Sequence, residues 1–100
     1  MSTQCKPLFA LGEIVATPGA LDALARNNST GLGLLRRHIF GDWGMVNDED
    51  KQSNDRALET GARLLSAYRL QDDTTVWIIT EAADDSGCRA ATTFLLPEEY

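Results

Sequence analysis

Three strand-like runs follow one another in the C-terminal half of the chain, and they constrain the fold more than any other feature. The runs cover residues 63–70, 75–81 and 91–96, and polar connections separate them. Consecutive strands joined by short turns pair in antiparallel fashion. The second run is apolar on both faces, which is typical of a central strand. The C-terminal half is therefore predicted to form a three-stranded antiparallel meander.

The N-terminal half has the pattern of three helices. Each predicted helix start carries a side chain that can cap the helix N-terminus. The first helix also has a proline at its first helical position. The predicted starts are Thr17–Pro18 for the first helix, Ser29 or Thr30 for the second, and Asn47 or Asp48 for the third. Apolar residues at helical spacing define one buried stripe on each of the first two helices, namely Leu21, Leu24 and Ala25, then Leu32, Leu35 and Ile39. Residues 8–16 fit either a strand or an ordered lead-in.

These elements together predict a fold class. We expect an α+β fold in which the N-terminal helices pack on one face of a small antiparallel sheet that ends in the meander. The length of 100 residues predicts a single domain, residues 1–100, with residues 1–7 as a flexible lead-in.

Composition and cysteine usage narrow the class of protein. The chain is 43% hydrophobic and 24% charged, which is typical of a globular domain. No apolar run approaches the roughly 18 residues that span a bilayer, and no apolar leader follows Met1, so we expect a cytoplasmic protein without membrane contact. Cys5 and Cys88 lack metal-binding spacing and are expected to be thiols. A disulfide between them requires the N-terminal segment to lie beside the last turn.

The charge distribution argues against nucleic acid as a partner. The net charge is −6, and residues 42–59 hold six acidic side chains against two basic ones, Lys51 and Arg56. Proteins that bind nucleic acid gain most of their affinity from basic surfaces that displace phosphate counterions. We therefore expect a protein partner or a homodimer instead.

Several motifs resemble those of a family of small bacterial proteins. The motifs are Gly-Asp-Trp-Gly at 41–44, Trp-Ile-Ile-Thr-Glu-Ala at 77–82 and Leu-Leu-Pro-Glu-Glu-Tyr at 95–100, and the resemblance covers roughly residues 8–100. Members of that family are labelled hypothetical, plasmid-related or type I restriction subunit M. The resemblance implies a bacterial cytosolic protein carried on plasmids or other mobile DNA. A methyltransferase activity is not implied, because the chain lacks an Asn-Pro-Pro-Tyr motif and a full cofactor-binding domain.

His38, Asp42 and Trp43 are the first candidates for a functional site. As a general base, His38 needs a partner such as Asp42 or Glu81, but its position near a predicted helix end favours a cation that interacts with the helix dipole. Trp43 is either a stacking residue for a ligand or an anchor that fixes a tight loop in the core. The anchor is the favoured interpretation, with Asp42 bracing the loop through backbone N–H groups.

The remaining weak binding candidates lie on the predicted strands: Tyr68, Arg69, Trp77 and Glu81. Glu81 is expected to form a cross-strand ion pair with Arg63 or Arg69 rather than to act in catalysis. The acids at positions 48, 49, 50 and 55 lack the pattern of an EF-hand, so we expect a solvated helix start and no metal. No phosphate-binding loop, dinucleotide fingerprint or nucleophile elbow is present. No catalytic residue and no cofactor are predicted.

Three functions remain open from the sequence. The favoured one is a non-enzymatic accessory protein that acts by protein–protein contacts through a sheet edge or an uncovered sheet face. The second is a RelE/ParE-like ribonuclease toxin module, which rests on element order and on the residue types His38, Arg63, Tyr68, Arg69 and Glu81. The third is an acidic inhibitor that mimics DNA and blocks a nuclease or restriction enzyme.

Overall fold

The computed structural model describes residues 6–100 of the chain as a four-stranded sheet with helices on one face. The elements, in chain order, are β1 (Glu13–Ala16), α1 (Pro18–Arg26), α2 (Leu32–Ile39), α3 (Asp48–Thr60), β2 (Leu64–Arg69), β3 (Thr75–Thr80), β4 (Ala91–Leu95) and the short 3₁₀ helix Pro97–Glu99. The strand order across the sheet is β1-β4-β3-β2. The predicted α+β class is therefore confirmed. Cys5 lies outside the described residues, so the expectation that Cys5 and Cys88 are thiols stays a prediction.

Strands β2, β3 and β4 form the predicted antiparallel meander. Ala67 lies opposite Trp77, and Trp77 lies opposite Leu95 in the next pair. The turn between β2 and β3 is closed by a hydrogen bond from the Leu70 N–H to the Thr74 carbonyl. The central position of β3 follows from its apolar residues on both faces, as expected.

The sequence left open whether residues 8–16 form a strand or an ordered lead-in. In the structure, residues 13–16 form a strand that runs parallel to β4. Glu13 pairs with Ala91 and Ala16 with Phe94. The sheet is consequently mixed rather than wholly antiparallel. The parallel direction has a topological reason: three helices and two strands separate β1 from β4, and such a long connection can return the chain in the same direction.

The helix boundaries agree with the predicted caps at α1 and α3 and differ at α2. Thr17 accepts a hydrogen bond from the Ala20 N–H, and Asn47 accepts one from the Asp50 N–H. Helix α2 starts later than predicted, after Gly31 in the left-handed conformation at φ 84°. The reason is that the Ser29 hydroxyl bonds to the nearby Gly31 backbone N–H, which favours a turn over a helix.

The main core lies between the sheet and the first two helices. It contains Ala20, Ala23 and Leu24 from α1, Leu35 from α2, and the helix-facing side chains Tyr68, Val76, Ile78 and Phe94. A second cluster, of Trp43, Ala57 and Leu64, lies under α3. Three residues of the predicted stripes, Leu21, Ala25 and Leu32, are exposed instead, so the buried faces are rotated toward Ala20 and His38.

Candidate functional site

The outer edge of β2 is closed by groups from elsewhere in the chain. The Asn54 side chain donates to the Leu65 carbonyl at 2.7 Å and accepts from the Leu65 N–H at 3.1 Å. Two residues further along, the Ala67 N–H donates to the Trp43 carbonyl at 3.1 Å, and the Met45 N–H donates to the Ala67 carbonyl at 2.7 Å. One side-chain amide and one short backbone segment thus pair the groups that an edge strand would otherwise present.

The Gly41–Gly44 loop holds this backbone segment in place. Trp43 is buried at 4% exposure, and its indole Nε1 donates to the Asp55 carboxylate at 3.1 Å. The Asp42 carboxylate accepts from the Gly44 N–H at 3.2 Å and from Arg37 Nε at 2.7 Å. The hydrogen bond from Arg37 is the main cause that lowers the pKa of Asp42. Trp43 therefore lies in the core as an anchor, with Asp42 bracing the loop.

The opposite edge of the sheet, along β1, has no such cover from residues 6–100. The Glu13 N–H donates to the Ala90 carbonyl at 3.0 Å, and the Thr17 N–H donates to the Phe94 carbonyl at 2.9 Å. Because backbone groups alternate in direction along a strand, those of Ile14 and Ala16 point away from β4. Within residues 6–100 no hydrogen bond reaches these outward groups. The neighbouring side chains are also open to solvent: Ile14 is 51% exposed and Val15 is 40% exposed.

His38 lies in the middle of the core, which corrects its predicted role as a helix-terminal cation. It is 0% exposed. Its Nδ1 lies 2.5 Å from the Ser66 hydroxyl, and its Nε2 lies 2.9 Å from the Thr80 hydroxyl. Burial, and then the charge of Arg89, lower the pKa of His38 to about 4. The side chain is therefore neutral near pH 7, and neither Asp42 nor Glu81 is its partner.

His38 is linked through the hydroxyls of Thr80 and Thr92 to the Leu11 carbonyl. Because a carbonyl can only accept, it determines which group donates in each of these hydrogen bonds. Thr92 donates to the Leu11 carbonyl at 2.7 Å, so its single proton is used there. Thr80, 2.8 Å from Thr92, must then donate to Thr92, and His38 Nε2–H must donate to Thr80. The Nδ1 atom is left as the acceptor for Ser66. Each hydrogen bond in the row thus has one donor and one acceptor, and the network has a structural role. Its five groups are the side chains of Ser66, His38, Thr80 and Thr92 and the Leu11 carbonyl.

The other predicted site residues are divided between the two faces of the sheet. Tyr68 is buried under the helices and donates to the Asp42 carbonyl at 2.6 Å, and burial raises its pKa to about 12. Arg69, Trp77 and Glu81 alternate to the opposite face, where Trp77 packs edge-on against Tyr100 with ring centroids 5.6 Å apart. The structure therefore does not bring these residues together into one site.

The predicted cross-strand ion pair of Glu81 is absent from the described residues. The register brings position 63 opposite position 81, yet Arg63 instead donates to the Tyr100 hydroxyl and lies over its ring at 5.5 Å. Aromatic contact and a hydrogen bond are both available at Tyr100, whereas an exposed ion pair contributes little.

Arg89 is a buried residue that sequence reasoning missed. Only 8% of it is exposed, and its guanidinium donates to the carbonyls of Ala62, Glu81 and Ala57 at 2.8, 2.9 and 3.1 Å. Ala57 lies near the C-terminal end of α3, where a cation is favoured by the helix dipole. Nothing beside Arg89 in the sequence distinguishes it from a surface arginine, because the carbonyls that hold it come from distant segments.

An open cleft of about 410 Å³ adjoins Arg89. Its lining comes from the segment before β1, from the end of α3 and from the loop between β3 and β4. In the part of the chain that the structure describes, no group of three or more His, Cys, Asp or Glu side chains is arranged to hold a metal ion.

None of the helices in residues 6–100 has the length and apolar character needed to cross a membrane.

Comparison with known proteins adds no further assignment. Searches of protein-family models, of curated proteins and of solved structures found no match to this chain.

Proposed function

We propose that this chain is a non-enzymatic interaction module that binds an extended segment of a protein partner along the edge of β1. The observation that carries the proposal is the difference between the two sheet edges. The β2 edge is paired by Asn54 and by the backbone of residues 43–45. The β1 edge leaves the outward N–H and carbonyl groups of Ile14 and Ala16 without partners in the described residues. Such an edge is a template for an added strand.

The chemistry of the edge indicates what the partner segment carries. Ile14 and Val15 offer apolar side chains on the two faces of the strand, so the partner is expected to place apolar residues beside them. Glu13 precedes them, and the chain carries a net charge of −6. A basic residue opposite Glu13 is therefore favoured, and two copies of this acidic chain repel each other. These features support a different protein as the partner rather than a second copy.

The family resemblance indicates where to look for that partner. It implies an accessory protein of a bacterial plasmid or other mobile element, and accessory proteins are often encoded next to the proteins they bind. Each neighbouring gene product is a defined protein that can be produced together with this chain. The mass of each purified pair, measured by light scattering, then reports whether a complex forms.

Two substitutions at one position test whether the edge is responsible. Ile14→Pro removes the outward N–H without removing a hydrogen bond to β4, and Ile14→Thr changes the side chain while it keeps that N–H. We expect a stoichiometric complex with the wild-type chain, retention with Ile14→Thr and loss with Ile14→Pro. Circular dichroism checks that both variants fold. A complex that survives Ile14→Pro, or the absence of a complex with every neighbour, contradicts the proposal. A wild-type homodimer that Ile14→Pro dissociates identifies a second copy as the occupant instead.

The geometry favours neither alternative function. The residue types that suggested a ribonuclease site are separated, because His38 and Tyr68 are buried under the helices while Arg69 is exposed on the other face of the sheet. The acids that suggested a DNA mimic form the first turn of α3, where Asn47 caps the helix and the helix dipole favours negative charge.

A further inference from the structure

We propose that the cleft beside Arg89 binds a small zwitterion of the α-amino-acid type, with its carboxylate on Arg89 and its ammonium group at the acidic rim. This site is separate from the β1 edge and does not depend on the proposed function. The cleft has a volume of about 410 Å³ and is open to solvent. That volume is sufficient for a molecule the size of a free amino acid.

Arg89 supplies the anion-binding part of the site. A guanidinium has five N–H donors, and the carbonyls of Ala57, Ala62 and Glu81 occupy three of those on Arg89. The Nε–H and one N–H of Nη2 make no hydrogen bond within residues 6–100. No carboxylate of the described residues lies within ion-pair distance of this buried cation. The unused donors are on two nitrogens of one guanidinium, and a guanidinium can present two N–H groups to the two oxygens of a carboxylate.

The rim of the cleft supplies the cation-binding part. Glu59, Asp84 and Asp85 line it. Asp84 already accepts from the backbone N–H groups of Ser86 and Cys88, whereas the carboxylates of Glu59 and Asp85 have no hydrogen bond in the described part of the chain. Both are exposed. They are consequently available for an ammonium group.

The combination of charges selects a zwitterion over a simple ion. A carboxylate without an amine would approach Arg89 past three like charges, and an amine without a carboxylate would leave the Arg89 donors unused. A ligand with both groups avoids each cost. Leu8, Phe9 and Leu58 are the larger apolar side chains of the lining, so leucine, whose side chain can contact them, is a suitable probe. The Arg89 guanidinium lies 5.7 Å from the centroid of the Phe9 ring, which also packs against His38.

Titration of the labelled protein, followed by NMR, tests this site with three matched probes. L-leucine carries both charged groups, 4-methylpentanoate lacks the amine, and isopentylamine lacks the carboxylate. We expect saturable shifts of the Gly61, Asp85 and Arg89 amides with leucine at millimolar concentration. The two incomplete probes are expected to bind at least about tenfold more weakly, since each loses one charged contact. Equal binding of leucine and 4-methylpentanoate, or shifts that do not saturate, would overturn the proposal.

Substitutions at the rim avoid the risk that a change at Arg89 unfolds the chain. Glu59→Gln combined with Asp85→Asn removes both free carboxylates, and we expect leucine binding to weaken about tenfold. Glu49→Gln changes an exposed acid outside the cleft and is expected to leave binding unchanged. Equal affinity in the rim variant and the wild type contradicts the assigned ammonium site. Ile14→Pro is expected to bind leucine normally, so failure at the β1 edge and failure at this cleft are distinguishable.

Discussion

His38 shows how a single residue can change role between sequence and structure. Near the end of a helix, an isolated histidine is expected to be a cation that interacts with the helix dipole. Its actual environment is set by Ser66 from β2 and Thr80 from β3, which lie 28 and 42 positions away. No local sequence pattern predicts that Ser66 and Thr80 bind a buried histidine, because each of them also fits an ordinary strand position. The burial of a polar residue on an amphipathic helix is visible only after the sheet register is known.

The buried His38 makes the fold sensitive to acid. Its pKa is about 4 in the folded chain and 6.5 when unperturbed, so between these values the unfolded chain binds a proton that the folded chain does not. The contribution of neutral His38 to the stability of the fold is complete above about pH 6.5 and is lost as the pH falls to about 4. Linkage predicts a loss of about 3 kcal/mol in the free energy of unfolding over that range. Urea denaturation at several pH values measures it.

A histidine-free variant separates this effect from the carboxylates that also titrate below pH 5. His38→Gln is less stable overall, since it disturbs the hydroxyl network, but its free energy of unfolding should change less between pH 6.5 and 4. Parallel pH dependence in the two proteins would show that His38 is not the titrating group.

Two glycines of the chain are predicted to respond in opposite ways to alanine. Gly44 has φ 74°, and a Cβ built on it lies 2.0 Å from the Ala67 carbonyl oxygen. Gly33 lies within α2 with nothing within 4 Å of a built Cβ. Gly44→Ala should destabilise the fold by about 2 kcal/mol or more through backbone strain, and Gly33→Ala should stabilise it by about 0.5–1 kcal/mol. Thermal unfolding of both variants checks the two signs.

At the scale of elements, the sequence predicted most of the fold because its local signals are strong. The caps Thr17, Asn47 and Gly61 stand where a helix begins or ends, and three strand-like runs separated by polar connections are enough to place the meander. The pairing of β1 was not decided, since a strand of four residues has no periodicity of its own. Its parallel direction depends on the distant β4, and no signal within residues 13–16 specifies that.

The closure of the β2 edge is the feature that sequence reasoning did not anticipate. Asn54 falls within an otherwise polar surface helix, where an asparagine is unremarkable, yet it is 4% exposed and bonds both backbone groups of Leu65. Within residues 6–100, the exposed edge expected from a small meander is therefore found at β1. The candidate binding edge is therefore the N-terminal strand β1, whereas the sequence had suggested an edge of the C-terminal meander.

Removal of the Asn54 amide is expected to open the β2 edge. Asn54→Ala leaves the Leu65 N–H and carbonyl without partners, which should destabilise the fold by about 1–3 kcal/mol. It should also promote concentration-dependent association, because an unpaired edge pairs with other chains. Denaturation and light scattering measure the two effects. Gln52→Ala, an exposed change on the same helix, serves as the control, and equal behaviour of the two variants would contradict the role assigned to Asn54.

At the scale of the whole molecule, the contacts that hold the fold together lie away from the β1 edge. The helices cover one face of the sheet, the Gly41–Gly44 loop and Asn54 close one edge, and Arg89 ties the end of α3 to the segments at Ala62 and Glu81. The β1 edge stands outside these contacts. We propose that this edge, on a chain with a net charge of −6, binds an extended partner segment with a basic residue opposite Glu13.

Hydrogen exchange of individual amides tests this account most directly. In the free protein the outward amides of Ile14 and Ala16 are predicted to exchange rapidly, while the Val15 amide between them, which faces β4, is protected. In the complex with the partner, the Ile14 and Ala16 amides should become protected as well. Slow exchange of Ile14 and Ala16 in the free chain, or rapid exchange that persists in the complex, would contradict the claim that β1 is the open binding edge.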